Sequence, residues 1–261
     1  MIKKVLFTFM CAFFVHDSMA TTQCFIAKEN GKIVKQMGEC DKRHTPASTF
    51  KIPLAVMGFD AGILKNPLEP SVPFSKEIVT RLGALYMPDK YPIMRFYDRP
   101  HTPTSWMQYS VIWYSQYITH KLAETKVQNY LNHFNYGNKD ISGTPGKKDG
   151  LLTSWIFNSL QISPLEQLDF IDKLHGRKLP ASRSAQENTI KIIQMDNIWD
   201  NWTLHGKTGG GMAAGWFIGW IEKDNRSIVF VQYVEPENSL ISGGIVAREL
   251  AKSNLITLMF K

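Results

Sequence analysis

Ser48 and Lys51 stand three residues apart in Pro46-Ala47-Ser48-Thr49-Phe50-Lys51, a hydroxyl and an amine in an otherwise apolar setting. A helix beginning near Thr49 would place them on one face, within reach of each other. Its start would also leave backbone N–H groups free to hold an oxyanion beside a nucleophile. Ile52, Pro53, Leu54, Val56, Met57 and Phe59 follow with no clear solvent face, which predicts a buried helix. Burial matters to the chemistry. An ordinary lysine, of pKa about 10.4, is a poor base at neutral pH, and lowering it to about 7 takes about 4 to 5 kcal/mol, within the reach of desolvation. Because S-x-x-K alone also arises by chance, the rest of the chain must support the reading.

The elements that would position this pair are legible in outline. Asn30-Gly31 between two alternating runs predicts a hairpin of strands over 23–29 and 32–37. Residues 66–104, rich in proline and poor in periodic apolar residues, read as an irregular excursion over the surface. Two helices are expected within 105–134, a polar Gly-rich loop over 136–150, and a short helix over 151–160. Another starts at Pro164 with Ser163 as its N-cap, and one more covers 184–195. Strands return over 202–207, 215–222 and 227–234, and 245–260 closes the chain as an amphipathic helix. The pattern predicts an α+β fold, an antiparallel sheet built from N- and C-terminal strands, flanked by helices, with an inserted helical region. The expected division is a sheet part at about 21–65 and 200–261 and a helical part at about 66–199, within one catalytic domain over 21–261.

Lys3 and Lys4, an apolar run over 5–15 and then Ser18-Met19-Ala20 read as a secretory signal peptide over 1–20, cleaved after Ala20. Cys11 lies in the apolar run without the small residues a lipidation site needs. No later apolar stretch approaches twenty residues, so an exported, periplasmic protein without a stable membrane anchor is expected. Cys24 and Cys40 then form an even pair in an oxidising compartment, which favours a disulfide over metal or catalysis. The net charge is +7, but the basic residues are scattered and no nucleic-acid motif is present, so no nucleic-acid partner is expected. The histidines lack metal-ligand spacing, and His205 reads as a structural or rim residue.

Ser110-Val111-Ile112, Tyr136-Gly137-Asn138, Trp155 and Lys207-Thr208-Gly209 follow the first motif. Their order and spacing resemble the class D serine β-lactamases, the oxacillinase family, within the penicillin-recognising serine enzymes, whose wider group carries S-x-x-K with K-T-G. The resemblance covers nearly all of the chain after residue 20, including Ser163-Pro164-Leu165-Glu166-Gln167 and Gly215-Trp216-Phe217. It implies a β-lactamase/transpeptidase-like fold and a Ser48 nucleophile. It further implies that Lys51 is carboxylated by carbon dioxide or bicarbonate, that the Trp155 indole N–H steadies the carbamate, and that Ser110 relays a proton to the leaving nitrogen. No metal or other bound cofactor is implied. Lys207, Thr208 and Gly209 would line the substrate cleft, the first two facing the substrate carboxylate. The N–H groups of Ser48 and Gly210 would form the oxyanion hole. Tyr136 and Asn138 would shape the neighbouring loop.

Two departures stand out. Ile112 occupies a position where the family usually has valine, and the extra methylene bears on water access to Lys51. Where many members carry a carboxylate-binding arginine near the last helix, this chain reads Ile241-Ser242-Gly243-Gly244, which makes Ser242 the substitute and Arg248 a weaker candidate. Gly206-Lys207-Thr208 is not a nucleotide-binding loop, since Asn201 stands where its first glycine belongs. Glu166 lacks the asparagine four residues later that class A enzymes carry, where Phe170 stands instead, and reads as helix surface. The expected activity is hydrolysis of small-molecule β-lactams, conferring antibiotic resistance. The alternatives are a penicillin-binding transpeptidase or carboxypeptidase and a non-hydrolysing β-lactam sensor. Oligomeric state is not legible.

Overall fold

Asn30 and Gly31 both adopt positive φ, 50° and 77°, so the chain reverses in two residues with the twist that a hairpin requires. The flanking strands are β1 (Thr22–Glu29) and β2 (Lys32–Gly38), as the Asn-Gly signal predicts. The computed structural model describes residues 22–82, 86–89, 92–211, 213–236 and 241–260. The expected signal segment, 1–20, lies outside them.

Eight helices follow in chain order among the described residues: α1 (Lys51–Asp60), α2 (Lys76–Leu82), α3 (Pro103–Tyr109), α4 (Ile112–Phe134), α5 (Gly150–Phe157), α6 (Pro164–His175), α7 (Arg183–Ile192) and, at the end, α8 (Gly243–Met259). Before α8 come β3 (Thr203–Gly210), β4 (Gly215–Lys223) and β5 (Arg226–Glu235). The five strands form one sheet in the order β2-β1-β5-β4-β3, every neighbouring pair antiparallel. Strands from the two ends of the chain therefore meet at β1 and β5, in a register that sets Ile26 opposite Val231.

Period-two alternation divides the sheet between two cores. Cys24, Ile26, Trp216, Ile218, Trp220, Val229, Val231 and Tyr233 join the buried helices on one face. Phe25, Ala27, Leu204, Phe217, Ile221, Ile228 and Phe230 pack with Ala247, Ala251, Leu255 and Leu258 of α8 on the other. Since Leu204 faces α8, Lys207 and Gly209, of opposite parity on β3, face the helical side. Two helix starts carry capping boxes. Ser163 accepts from the Glu166 N–H while the Glu166 side chain accepts from the Ser163 N–H, with Pro164 at the first position. Thr102 and Ser105 make the same reciprocal pair ahead of α3.

Two expectations are corrected. The buried helix does not begin at Thr49. Ala47–Phe50 forms a tighter 3-10 turn, and α1 starts at Lys51. Residues 66–104 are not only a surface excursion, because α2 and a 3-10 turn at Pro92–Phe96 lie within them and Met94, Tyr97 and His101 are buried. Isolated pairing of Val72 with His101 and a 2.7 Å contact of His101 Nε2 with the Phe96 carbonyl draw this stretch inward. The two helices expected within 105–134 are present: the long α4 is broken at Ala123, whose φ of 62° and ψ of 163° are not helical, between the stretch that carries Ile112 to Ile118 and the one that carries Val127 to Phe134.

Cys24 and Cys40 form a disulfide, with Cα atoms 5.2 Å apart, tying the start of β1 to the segment that leaves β2. Their replacement by alanine is expected to lower stability by about 3 kcal/mol, the loop-closure value for this separation. The check is the urea midpoint of the double variant, and an unchanged midpoint would mean that the sheet alone holds this end.

Candidate active site

The 3-10 turn makes the first contact of the site. In this geometry side chains at i and i+3 eclipse one another, which brings Lys51 over Ser48 more directly than an α-helix would. Lys51 Nζ donates to Ser48 Oγ at 3.0 Å. Lys51 is fully buried on the first turn of α1, and desolvation pushes its pKa well below the ordinary lysine value, with the nearby charge of Lys207 pushing the same way. A neutral amine has a lone pair, so at this distance it can also accept the Ser48 proton. Ala47, just before the serine, has φ 49°, and Ser110, the C-cap of α3, has φ 57° and ψ 38°. Residues with a β-carbon are uncommon in this region, and such backbone strain gathers at functional sites.

Trp155 of α5 comes next. Its ring centroid lies 5.0 Å from Lys51 Nζ, and its ring stacks on Phe50 at 6.0 Å. The indole Nε1 is buried and has no hydrogen-bond partner among the described residues. Buried indole N–H groups normally find an acceptor. Here an unanswered donor stands beside an amine that burial holds toward neutrality.

β3 makes the opposite wall. Lys207 is 6% exposed, its Nζ donates to the Thr208 carbonyl at 2.8 Å, and burial pushes its pKa down to about 7. Gly209 faces the nucleophile turn so closely that a β-carbon there would lie 2.9 Å from Thr49 N and 3.0 Å from the Pro46 carbonyl oxygen. Only glycine lets the strand come this near. Beyond it, the Gly243 N–H donates to the Gly211 carbonyl at 2.7 Å, bringing the start of α8 to the end of β3. Ser242 is the half-buried N-cap there, and its side chain does not cap the helix. Arg248 lies further along α8 and donates to Glu249 at 2.9 Å.

The structure thus gathers Ser48, Lys51, Trp155, Lys207 and Gly209. Ser110 stands at the α3–α4 corner, its carbonyl accepting from Tyr97 Oη at 2.7 Å, and Ile112, 9% exposed, begins α4. Thr208 is half-buried and Gly210 is exposed at the strand end. Asn138 stitches its loop together, donating to the Ser159 carbonyl at 2.7 Å and accepting from the Gln161 N–H at 2.9 Å. His205 is buried and stacked on Trp220 at 4.6 Å, in keeping with a structural reading. Glu166 belongs to its helix cap and to Arg43, whose Nε donates to it at 3.0 Å.

Sequence reasoning missed Tyr97, Thr49 and Gln167. Gln167 Nε2 donates to Thr49 Oγ1 at 2.8 Å, deep in the core behind the serine. Its signal was available. Gln167 shares a helical stripe with Phe170, Ile171 and Leu174, so an amide stands where the pattern calls for an apolar residue.

The family model described as the penicillin binding protein transpeptidase domain matches residues 18–255. The β-lactamase OXA-9 of Klebsiella pneumoniae is 37% identical over 258 residues, covering 93% of this chain and 90% of the relative. The β-lactamase OXA-1 of Escherichia coli is 36% identical over 251 residues, covering 92% and 84%. The crystal structure of the class D β-lactamase OXA-427 superimposes with a TM-score of 0.80 at 38% identity, covering 91% of this chain and 98% of that one. With the S-x-x-K turn, the buried amine and the K-T-G strand assembled around one serine, the chain belongs to the class D β-lactamases, within the penicillin-binding transpeptidase-domain family.

Proposed function

We propose that this protein hydrolyses the β-lactam ring of penicillin-type antibiotics through a Ser48 acyl-enzyme, and so confers resistance to them. The observation that carries the reading is the fully buried Lys51 amine, 3.0 Å from Ser48 Oγ and held toward its neutral form. Ser48 Oγ adds to the lactam carbonyl carbon as its proton passes to the base at Lys51. The oxyanion meets the N–H groups of Ser48 and Gly210, the carbon–nitrogen bond breaks, and the ring nitrogen takes a proton through Ser110. Water then cleaves the ester and returns the proton to Ser48. Lys207 and Thr208 would bind the substrate carboxylate, with Ser242 at the α8 start as a further hydroxyl, since Arg248 is engaged with Glu249.

The residues around Lys51 fit its carboxylation. A neutral amine can add to carbon dioxide, and the buried Trp155 N–H, without an acceptor among the described residues, would gain one from the resulting anion. Carboxylated Lys51 supplies a general base for both half-reactions. Ile112 at the start of α4 would restrict how water reaches it. The basic, then apolar, then small-residue pattern of residues 1–20 supports export to the periplasm, where an oxidising compartment suits the Cys24–Cys40 disulfide.

Mixing the protein with benzylpenicillin, with and without bicarbonate, is expected to give rapid ring opening stimulated by bicarbonate and little accumulated adduct by intact mass. A stable Ser48 adduct without turnover would favour a penicillin-binding or sensor protein instead. Trp155→Ala should retain Ser48 acylation, turn over slowly, and recover in part as bicarbonate is raised. Indifference to bicarbonate would assign Trp155 to packing alone. Lys207 gives a pH prediction. Its folded pKa, about 7, lies below the ordinary lysine value of 10.5, so between these values the unfolded chain binds more protons and stability rises with pH. Lys207→Met should flatten that rise, read from urea midpoints at a series of pH values, whereas an unchanged slope would mean that the amine is hydrated.

A further inference from the structure

Behind the nucleophile turn runs a buried polar chain that the proposed chemistry does not use. Gln167, Thr49 and Tyr136 are all essentially inaccessible to solvent. Gln167 Nε2 donates to Thr49 Oγ1 at 2.8 Å, and the Thr49 hydroxyl donates to the Pro46 carbonyl at 2.6 Å. The same carbonyl accepts from the Thr49 N–H at 3.2 Å. Tyr136 Oη lies within 3.5 Å of Gln167 Oε1 and also meets the Thr49 side chain, so the three groups close on one another. Burial holds the Tyr136 phenol protonated, so it can donate to Oε1, which leaves the amide nitrogen facing Thr49. With Gln167 as donor, the threonine proton is directed to Pro46.

We propose that Gln167 is a positioning residue for acylation, acting through Thr49 to set the turn that presents Ser48. Pro46 and Thr49 bracket Ala47, whose φ of 49° a β-carbon resists, and Ser48 itself. On one side Gly209 presses against Thr49 and Pro46, and on the other Gln167 holds Thr49. Removing the amide donor frees the Thr49 hydroxyl to leave Pro46, and the turn can relax from its left-handed residue. Both the Oγ that attacks and the Ser48 N–H that would hold the oxyanion ride on this turn. Acylation depends on where Oγ stands relative to Lys51. Deacylation begins with Oγ already bonded to the acyl group and depends more on water and on Lys51.

This inference rests on Ser48 being the acylated nucleophile, and the experiment separates the two claims. Rapid mixing with benzylpenicillin, quenched for intact mass, gives acylation and deacylation rate constants for wild type, Gln167→Leu, Thr49→Val, the double variant and Gln167→Glu, with thermal melting beside each. Gln167→Leu and Thr49→Val are each expected to slow acylation about tenfold to a hundredfold, the cost of a small misplacement, while deacylation changes by less than about threefold. The double variant should be no slower than either single one, because both break one chain. Gln167→Glu, whose neutral acid offers the same donor and acceptor, should acylate at a rate, relative to wild type at the same pH, that is highest at low pH and falls as the carboxyl ionises. Wild-type acylation in Gln167→Leu, multiplying effects in the double variant, or acylation and deacylation falling together would each overturn the inference. If Gln167→Leu does not fold, Thr49→Val decides alone, and wild-type acylation in it overturns the inference. Absence of any Ser48 adduct in the wild type would instead overturn the functional reading.

Discussion

Lys51 carries its amine to a place that excludes water, on the first turn of a helix whose residues Lys51 to Phe59 are all buried. A charged ammonium there would lose its hydration without a carboxylate in return, so the balance moves toward the neutral amine. Everything else at the site is arranged around that fact. Ser48 stands above the amine because a 3-10 turn, not an α-turn, precedes the helix. Trp155 lays its ring 5.0 Å from the amine and brings an indole N–H without an acceptor among the described residues. The cost of burying a lysine is borne by a large surrounding core, and the return is a nitrogen able to take a proton at neutral pH.

The sheet delivers the second half of the site through parity and register. Leu204 belongs with α8, which turns Lys207 and Gly209 toward the helical side. Pairing of Gly209 with Trp216 on β4 sets where along the edge that contact falls, and the Trp216 indole donates to the Thr45 carbonyl at 3.0 Å. The segment before the nucleophile is thus pinned to β4, while His44 bridges to Ile162 just ahead of α6. A one-residue slip of β3 would send Lys207 to the α8 side. The packing of Leu204 against α8 serves chemistry indirectly, by making such a slip costly.

What was legible in the chain divides by the range of the interaction. Asn30-Gly31, Ser163-Pro164 with Glu166, and the alternating strands announce themselves because their causes lie within a few residues. The ordered motifs carry the resemblance to the family, and the site roles it implies come with that resemblance rather than from local cause. The depth of Lys51 and the inward course of Met94, Tyr97 and His101 depend on partners far along the chain, and local pattern cannot supply them. The 3-10 turn at Ala47–Phe50 is not distinguishable from an α turn by pattern, because both place i and i+3 together. Gln167 lay in plain view as an amide in an apolar stripe, but its partner Thr49 is 118 residues away.

The two buried amines are also a single electrical system. The charge of Lys207 is one of the causes that lower the Lys51 pKa, and an interaction of this kind acts equally in both directions. Near neutral pH Lys207 is poised between its forms, since its pKa is pushed down to about 7. An anionic group arriving beside it draws a proton onto it, because an opposite charge favours the charged state. Protonated Lys207 then holds Lys51 more firmly neutral. An anion formed at Lys51 would in turn make Lys207 easier to protonate. Two lysines that would repel each other if both were charged therefore settle into different states, one able to meet a carboxylate and the other able to take a proton from Ser48.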